Sequence, residues 1–355
     1  MAGEQALVEV RPEGLYCPAG DFHIDPWRPV ARAVITHAHA DHARRGHGAY
    51  LAHAAAAGVL RARLGDGIAL QTVGYGEPLT VGGLRVSLHP AGHVLGSAQV
   101  RLEHRGEVWV VSGDYKLEAD PTCTPFEPVR CHTFITESTF GLPIYRWPRA
   151  DGVLADIAAW WQANAAAGRA SVLYAYAFGK AQRLLAGLRG RGVGPIIVHG
   201  AVHTVNEAYR AAGVALAETR RVADGLAAAE ARRALVVAPP SARGTPWLRR
   251  FGAHADAMVS GWMQVRGARR RRGVDRGFVL SDHADWPGLL RAVRACGASR
   301  VLVTHGYVPE LVRYLAEQGW QADALRAPYG DEAGDEAGEE EGEAVVADGP
   351  AEGGA

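Results

Sequence analysis

A six-residue segment that follows a β-type run carries four side chains that commonly bind metal ions: His37, His39, Asp41 and His42. In an extended backbone, residues two apart point the same way, so His37 and His39 can share one ion. Asp41 and His42 can then turn toward a second ion. Imidazole together with carboxylate suits zinc. A loop that is merely rich in surface histidine would seldom be this dense, so the segment predicts metal binding.

Three further candidates follow predicted strands later in the chain, namely His93 in Gly-His-Val-Leu-Gly-Ser, Asp114 in Ser-Gly-Asp and His305 in Thr-His-Gly. Taken alone, each would more often be a hydrogen-bonded loop histidine or a turn-forming aspartate. A two-metal site needs about this many ligands, with ions roughly 3.5–4 Å apart. Together with the 37–42 segment, these residues predict a dinuclear site to which several strand ends contribute.

The pattern of predicted secondary structure, which must position these residues, changes along the chain. Up to about residue 150, short strands end in polar clusters, and the runs at 98–102 and 108–112 flank a predicted hairpin turn. Between about 150 and 275, helical and strand patterns alternate, which predicts a βαβ region with a parallel sheet. From residue 277 the first pattern returns, with short strands that end at His283 and His305.

The net charge of zero hides an uneven distribution of charge. Residues 331–355 hold ten acidic and no basic residues, so residues 1–330 have 38 basic against 28 acidic residues, a net charge of +10. A basic body with an acidic, disordered tail suits a protein that binds polyanions. A coding bias toward Ala, Gly and Arg would give a similar composition.

The cysteines and the amino terminus bear on the compartment. Cys17, Cys123, Cys131 and Cys296 form no CxxC pair and no disulfide framework. We expect each to be a small buried apolar residue. The first residues carry three glutamates and no apolar core, unlike a signal peptide, and no apolar run is long enough for a membrane helix. These features predict a cytoplasmic protein with no membrane partner.

The ordered set HxHxDH, GHxLGS and SGD resembles the metallo-β-lactamase superfamily, and Asp25 in Ile-Asp-Pro matches the first motif of that superfamily. Three later motifs resemble motifs A, B and C of the β-CASP nucleases: Glu137–Gly141, Ser281–Asp285 and Val303–Gly306. The segment Phe178–Arg183 resembles the start of the β-CASP insertion. Stretches such as Trp27–Pro29 are similar to the bacterial ligase-associated DNA exonucleases.

The resemblance implies an α/β fold, an αββα metallo-β-lactamase sandwich with an inserted β-CASP α/β domain. The predicted division is a first metallo-β-lactamase part at 1–150, the insertion at 151–275, a closing part at 276–330 and an acidic disordered tail at 331–355. Such a fold implies a dinuclear metal site on one edge of the sandwich and a hydrolase that cleaves nucleic acid.

The resemblance also assigns roles to single residues. One zinc is expected on His37, His39 and His93, the second on Asp41, His42 and His305, with Asp114 as a bridge and Asp25 as a supporting residue. His283 is expected to be the general acid, Glu137 to orient it and keep it protonated, and Asp41 to act in catalysis as well as in metal binding. The cofactors implied are two Zn²⁺ per chain, although Mn²⁺ also suits these ligands. Two copies of these patterns, at His254 and His199, are expected to be structural or to face the substrate.

Basic residues predict where nucleic acid would bind. Lys180 and Arg183 in the insertion motif, and the run Arg269, Arg270, Arg271 and Arg272, are candidates for contacts with phosphates. Such contacts give affinity but little sequence readout. A solvated arginine loop is the plain alternative for the run.

Four functions remain open from the sequence. The first is a ligase-associated DNA exonuclease in DNA repair, with DNA favoured over RNA and an ATP-dependent DNA ligase and helicase as partners. The second is an RNA-processing β-CASP ribonuclease, endonuclease-like at mRNA 3′ ends or similar to RNase J, and a histidine at motif C (His305) is more typical of that branch. The third is a small-molecule hydrolase, and the fourth is a scaffold without catalysis.

Overall fold

The computed structural model describes residues 6–267, 270 and 273–325. These residues form two compact units, one built from 6–146 and 283–325 and the other from the described residues of 147–282. The first boundary thus falls after 146, where the sequence predicted 150, and the second after 282, where it predicted 275. The assignment of these units to the two predicted domain types stays a prediction, and the acidic tail lies outside the described residues.

The first unit contains a six-stranded sheet whose strands are in chain order: β1 (Glu9–Arg11), β2 (Gly14–Cys17), β3 (Phe22–Ile24), β4 (Arg32–Val34), β5 (Ala49–His53) and β6 (Leu70–Val73). The first three strands are antiparallel, and β3 to β6 run parallel. The sheet places the end of β4 directly before the 37–42 segment.

The first unit also contains a seven-stranded sheet, formed by β7 (Leu79–Val81), β8 (Leu84–Pro90), β9 (Ala98–His104), β10 (Glu107–Val111), β11 (Thr133–Ser138), β17 (Arg300–Gly306) and β18 (Gln321–Ala324). The order across the sheet is β18-β17-β11-β10-β9-β8-β7. The neighbouring strands β10, β11, β17 and β18 are parallel to one another, whereas β7, β8, β9 and β10 are paired antiparallel.

This topology explains why the predicted ligands can meet. Because β10, β11 and β17 are parallel, their carboxyl ends lie at one edge of the sheet. Two antiparallel steps bring β8 back to the same direction. The loops that carry His93 and Asp114, together with Glu137 and His305, therefore all leave the sheet at that edge.

Two apolar layers hold the first unit together. The two sheets pack face to face, with side chains such as Ile24 and Val34 on one sheet and Leu88 and Val100 on the other. The opposite face of the seven-stranded sheet is covered by α6 (Trp286–Cys296) and α7 (Val308–Glu317). Both helices bury leucine side chains, Leu289 and Leu290 in α6 and Leu311 and Leu315 in α7. With α1 (Ala57–Leu64), these elements make the unit a mixed α/β sandwich.

The second unit is built around a five-stranded parallel sheet, with strands β12 (Ala170–Tyr174), β13 (Ile196–Val198), β14 (Leu235–Ala238), β15 (His254–Val259) and β16 (Arg276–Phe278). The order is β13-β14-β12-β15-β16. Its helices are α2 (Ala150–Ala166), α3 (Lys180–Gly187), α4 (Gly200–Ala211) and the short α5 (Ala228–Ala231). This unit also contains short 3₁₀ turns at Val222–Asp224, Pro240–Ala242, Pro246–Phe251 and Gly261–Gln264. A further 3₁₀ turn, Ala54–Ala56, precedes α1 in the first unit.

The parallel βαβ pattern predicted for this region is present. Two details differ from the sequence prediction. The strand expected at 278–280 ends at Phe278, and β15 was not predicted, since His254 and Asp256 interrupt its apolar pattern.

None of the four cysteines forms a disulfide bond. Cys17, Cys131 and Cys296 are buried as expected, but Cys123 is only half-buried, because it lies in the open loop between β10 and β11. Among the described residues, no helix combines the length and the apolar character that crossing a membrane requires. The cytoplasmic location stays a prediction.

Candidate metal centre

The 37–42 segment is anchored by Asp25, which is buried and has a positive φ of 43°. One oxygen of Asp25 accepts a hydrogen bond from the Thr36 amide at 2.8 Å, and the other accepts one from the Thr36 hydroxyl at 2.5 Å. The second oxygen also lies 2.7 Å from Nδ1 of His42. A carboxylate on one imidazole nitrogen fixes the ring and leaves the other nitrogen for a metal. Asp25 thus has the geometry of a supporting residue.

Asp114 lies at the centre of the cluster. Its Oδ2 is 3.4 Å from Nε2 of His37, 3.3 Å from Nε2 of His42 and 3.9 Å from Nε2 of His93. Gly113 lets the chain reach this position, since it has a φ of 55° and a Cβ there would lie 2.7 Å from the Thr36 side chain. One carboxylate oxygen therefore faces three histidines from two separate loops, as a bridging ligand would.

Two overlapping groups of side chains could each hold an ion. His37, His39, His93 and Asp114 form the first, and Asp41, His42 and Asp114 form the second, with potential ligand atoms within 4.8 Å of one another in each group. Nδ1 of His39 and Nε2 of His93 are 3.1 Å apart. The two groups share only Asp114. The assignment of ligands to two ions that the resemblance implies, with His305 in the second group, stays a prediction.

The donor atoms fit a cation. Among the described residues, Nε2 of His37 and Oδ1 of Asp41 are buried atoms for which no hydrogen-bond partner is found. Asp41 as a residue is partly exposed, but this oxygen is not. Buried polar groups without partners are costly in a folded protein, and a cation would satisfy both atoms.

The pKa values of His37, His39 and Asp114 favour the protonation states in which these side chains bind metal ions. Burial lowers the pKa of His37 to about 3 and that of His39 well below its usual value, so both imidazoles are neutral near pH 7. Burial acts to raise the pKa of Asp114, but the neighbouring His42 and His283 outweigh it and lower the pKa well below its usual range. Neutral imidazole and ionised carboxylate are the forms that bind metals.

His42 and Asp41 form a coupled pair in the same cluster. Burial acts to lower the pKa of His42, but the carboxylates of Asp41 and Asp114 outweigh it and raise the pKa well above its usual value. Burial likewise acts against ionisation of Asp41, and His42 overcomes it, so the pKa of Asp41 is lowered. Binding of a metal at His42 would therefore release a proton.

His305 stands slightly apart from the two groups. It is half-buried, has a φ of 59°, and its ring centroid lies 6.2 Å from that of His42. Its backbone is fixed by the Ser138 hydroxyl, which donates to the His305 carbonyl at 2.5 Å. Gly306 is required next to it, because a Cβ there would lie 2.4 Å from the Ser138 carbonyl oxygen. His305 thus lies near His42 of the second group.

A second feature at the same edge is the pair His283 and Glu137. Nδ1 of His283 lies 3.0 Å from Oε2 of Glu137. Glu137 is buried and also accepts hydrogen bonds from the Tyr115 amide at 2.8 Å and the Thr139 hydroxyl at 2.5 Å. The rings of His283 and His93 are 4.6 Å apart, and Asp114, Glu137 and His283 form a third close group. The pair therefore borders the candidate metal cluster.

Sequence reasoning missed several residues that shape the site. Tyr115 and Thr139 hold Glu137, and the Arg63 guanidinium donates to the carbonyl of Ala38, in the middle of the 37–42 segment. Thr139 belongs to a motif that had been noted, so proximity in sequence could have revealed it. Arg63 lies on α1 and carries no local signal.

The predicted nucleic-acid contacts differ in their surroundings. Lys180 and Arg183 are 5% and 7% exposed, and each faces Asp282, at 3.8 Å and 3.7 Å. The Arg183 guanidinium also donates to the Ser281 carbonyl. This burial argues against direct contact of either side chain with phosphates. Arg270 is exposed, and Arg269, Arg271 and Arg272 lie outside the described residues.

The two histidines that copy the motifs have local contacts. His199 caps α4, since its side chain accepts from the Ala201 amide at 3.3 Å. Nδ1 of His254 lies 2.8 Å from the Gly252 carbonyl oxygen. For both histidines the expected alternatives, a structural role or contact with the substrate, stay predictions.

Fold and site together define a class: a mixed α/β sandwich with a buried His/Asp cluster at the carboxyl ends of its strands. The chain is 37% identical over 317 residues to a probable DNA ligase of Opitutus terrae, which covers 88% of this chain and 30% of that protein. It is also 36% identical over 76 residues to the endoribonuclease ysh1 of Aspergillus fumigatus and 36% over 74 residues to the endoribonuclease YSH1 of Saccharomyces cerevisiae.

The matched part is a minor share of these relatives. The chain spans less than a third of the length of the ligase and about a tenth of each endoribonuclease. A crystal structure of a protein of unknown function from Enterococcus faecalis V583 is similar in fold, with a TM-score of 0.56 and 12% identity, over 83% of this chain and 79% of that one. No family model matches the sequence. These relatives agree with the expected resemblance to metallo-β-lactamase and β-CASP proteins at the level of that broad group. The more specific group stays a prediction.

Proposed function

We propose that this protein is a metal-dependent nuclease that hydrolyses phosphodiester bonds. The observation that carries the proposal is the meeting of two features at one sheet edge: a carboxylate, Asp114, ringed by histidines, and a second histidine, His283, oriented by a buried glutamate. The first suits a dinuclear metal site, and the second suits proton transfer. Small-molecule hydrolysis alone would not require the second feature.

Seven side chains would hold two zinc ions per chain, with manganese as the alternative: His37, His39, His93, Asp41, His42, His305 and the bridging Asp114. Bound metal ions would lower the pKa of a coordinated water molecule and offset the negative charge that develops on phosphate oxygens. His305, whose ring centroid lies 6.2 Å from that of His42, would complete the second group.

His283 would protonate the leaving oxygen. Its Nδ1 faces Glu137, so the proton to be transferred would be held on Nε2. Glu137 keeps this orientation because the Tyr115 amide and the Thr139 hydroxyl hold its two oxygens in place. Asp41 has a buried oxygen that could accept a proton from the attacking water, in addition to its role as a ligand.

For the substrate we favour DNA, in an exonuclease reaction of DNA repair beside an ATP-dependent ligase and its helicase. The support is the ligase relative, which is matched over most of this chain. The alternative is an RNA-processing nuclease. It is supported by the endoribonuclease relatives, whose matches are shorter, and by His305.

The test is digestion of 5′-labelled and 3′-labelled single-stranded and double-stranded DNA, with matched RNA, by the metal-loaded protein. We expect stepwise shortening of DNA ends, which the His37→Ala variant loses because a ligand is missing. Cleavage of RNA alone would move the protein to the RNA-processing alternative. Absence of cleavage of every nucleic acid, by a protein that keeps its metal, would overturn the proposal.

A further inference from the structure

An exposed basic surface lies beside the candidate metal centre and has no assigned role. It consists of Trp27, Arg28, Arg44 and Arg45, here called the Trp27 patch. The three arginines are exposed and the tryptophan is half-exposed. Arg44 and Arg45 follow His42 within three residues, and Trp27 and Arg28 follow Asp25 within three residues. Both halves of the patch therefore extend directly from segments that build the site.

Arg45 is joined to the metal-binding segment by hydrogen bonds. Its Nη2 donates to the carbonyl of Arg63 at 2.8 Å. The Arg63 guanidinium in turn donates to the carbonyl of Ala38, between His37 and His39. Arg45 is thus held close to the segment, with its charge toward the surface.

Arg44 joins the two halves of the patch. Its Nη1 lies 3.5 Å from the carbonyl oxygen of Trp27. The indole N–H of Trp27 donates to the Pro12 carbonyl at 2.7 Å, and its amide donates to the Glu13 carbonyl at 2.9 Å. The indole is therefore held by hydrogen bonds, and a side chain that is already fixed loses little conformational entropy on binding.

The three arginines of the patch differ from other arginines of the first unit in their ion pairing. In the described part of the chain, no carboxylate forms an ion pair with Arg28, Arg44 or Arg45. Other arginines of the same sheet are paired, such as Arg32 with Asp21 at 2.6 Å. Exposed arginines together with an aromatic side chain are typical of surfaces that bind single-stranded nucleic acid, where cations track phosphates and bases stack on rings.

We infer that the Trp27 patch binds the single strand next to the cleaved bond, with its arginines on consecutive phosphates and one base against Trp27. This inference rests on the proposed nuclease function and specifies the form of its substrate. Because the contacts are to the backbone and to one ring face, the patch would give affinity with little sequence preference.

The arginines are tested by the salt dependence of binding. The full chain, loaded with zinc and carrying His283→Ala so that the strand is not cut, is titrated with a fluorescent twelve-nucleotide oligothymidine at several salt concentrations. Replacing Arg28, Arg44 and Arg45 by glutamine is expected to reduce the slope of log K against log salt by about 2, at about 0.7 for each phosphate lost. The charge-matched control replaces the exposed Arg85, Arg105 and Arg313 by glutamine and should keep the slope.

The tryptophan is tested with a ligand that has phosphates but no bases. Trp27→Leu is expected to weaken binding of the oligothymidine about fivefold or more, because stacking of one base contributes at least that factor. Binding of inorganic polyphosphate should not change. Equal weakening for both ligands would contradict the stacking role.

The outcomes separate this inference from the proposed function. If the unaltered patch binds the strand with a steep salt slope and the glutamine variant keeps that slope, the patch is not the binding surface, although the nuclease proposal stands. An equal reduction of the salt slope in the control variant would also contradict the assignment of binding to the Trp27 patch. If no variant binds nucleic acid, the proposed function itself fails.

Discussion

Replacing His283 by alanine is expected to lower kcat for phosphodiester cleavage by about 10²–10⁴-fold, the range for loss of a general acid. KM and metal content should change little, because His283 lies outside the two groups that share Asp114 with the 37–42 segment. The measurement is steady-state cleavage of a labelled strand together with metal analysis of the same preparation.

Two controls distinguish proton transfer from a structural role. His254→Ala removes a histidine from the same His-Ala-Asp pattern in the other unit and should leave kcat unchanged. A substrate with a sulfur leaving atom needs no proton on departure, so the His283→Ala variant should recover most of its lost rate on it. A loss of equal size on both substrates would contradict the role of general acid.

Replacing Asp114 by asparagine is expected to have the largest effect on metal binding. Its Oδ2 faces three histidines and belongs to every candidate group. Residues that merely support a ligand change metal affinity by about 10–100-fold, so loss of the shared carboxylate should exceed about 100-fold. Activity should fall with it. The measurement is competition for zinc against a chelator of known affinity.

The matched control for this prediction is Asp120→Asn. Asp120 is also buried in the first unit, but it is paired with Lys116 at 2.9 Å. We expect this variant to lose stability while it keeps the zinc affinity of the unaltered protein. If both variants lose zinc to the same extent, the loss follows from damage to the fold, and the bridging position of Asp114 would be contradicted.

The candidate ligands could be found from the sequence because each one follows a strand. Parallel strands end at the same edge of a sheet, so the residues that directly follow them lie close together. A residue's place after a strand therefore predicts where it lies in the fold. The spacing of His37 and His39 adds the two-residue period of an extended chain. The buried leucines of α6 and α7 instead follow the helical spacing of three to four residues.

Other features depend on contacts between distant residues, which local patterns do not reveal. The pairing of Lys180 and Arg183 with Asp282 joins positions about a hundred residues apart, and the sequence therefore predicted exposed phosphate contacts where the side chains are buried. Arg63 reaches the 37–42 segment from α1 in the same way. All six strands of the six-stranded sheet have only three to five residues, too few to show a period.

The most direct test of the account is titration of the metal-free protein with zinc while cleavage of a labelled strand is followed. The account predicts no cleavage without metal, a rise in rate as zinc is added, and saturation at two equivalents per chain. Cleavage that persists in the presence of a strong chelator, or a protein that binds two zinc ions at this cluster and never cleaves a phosphodiester, would contradict it.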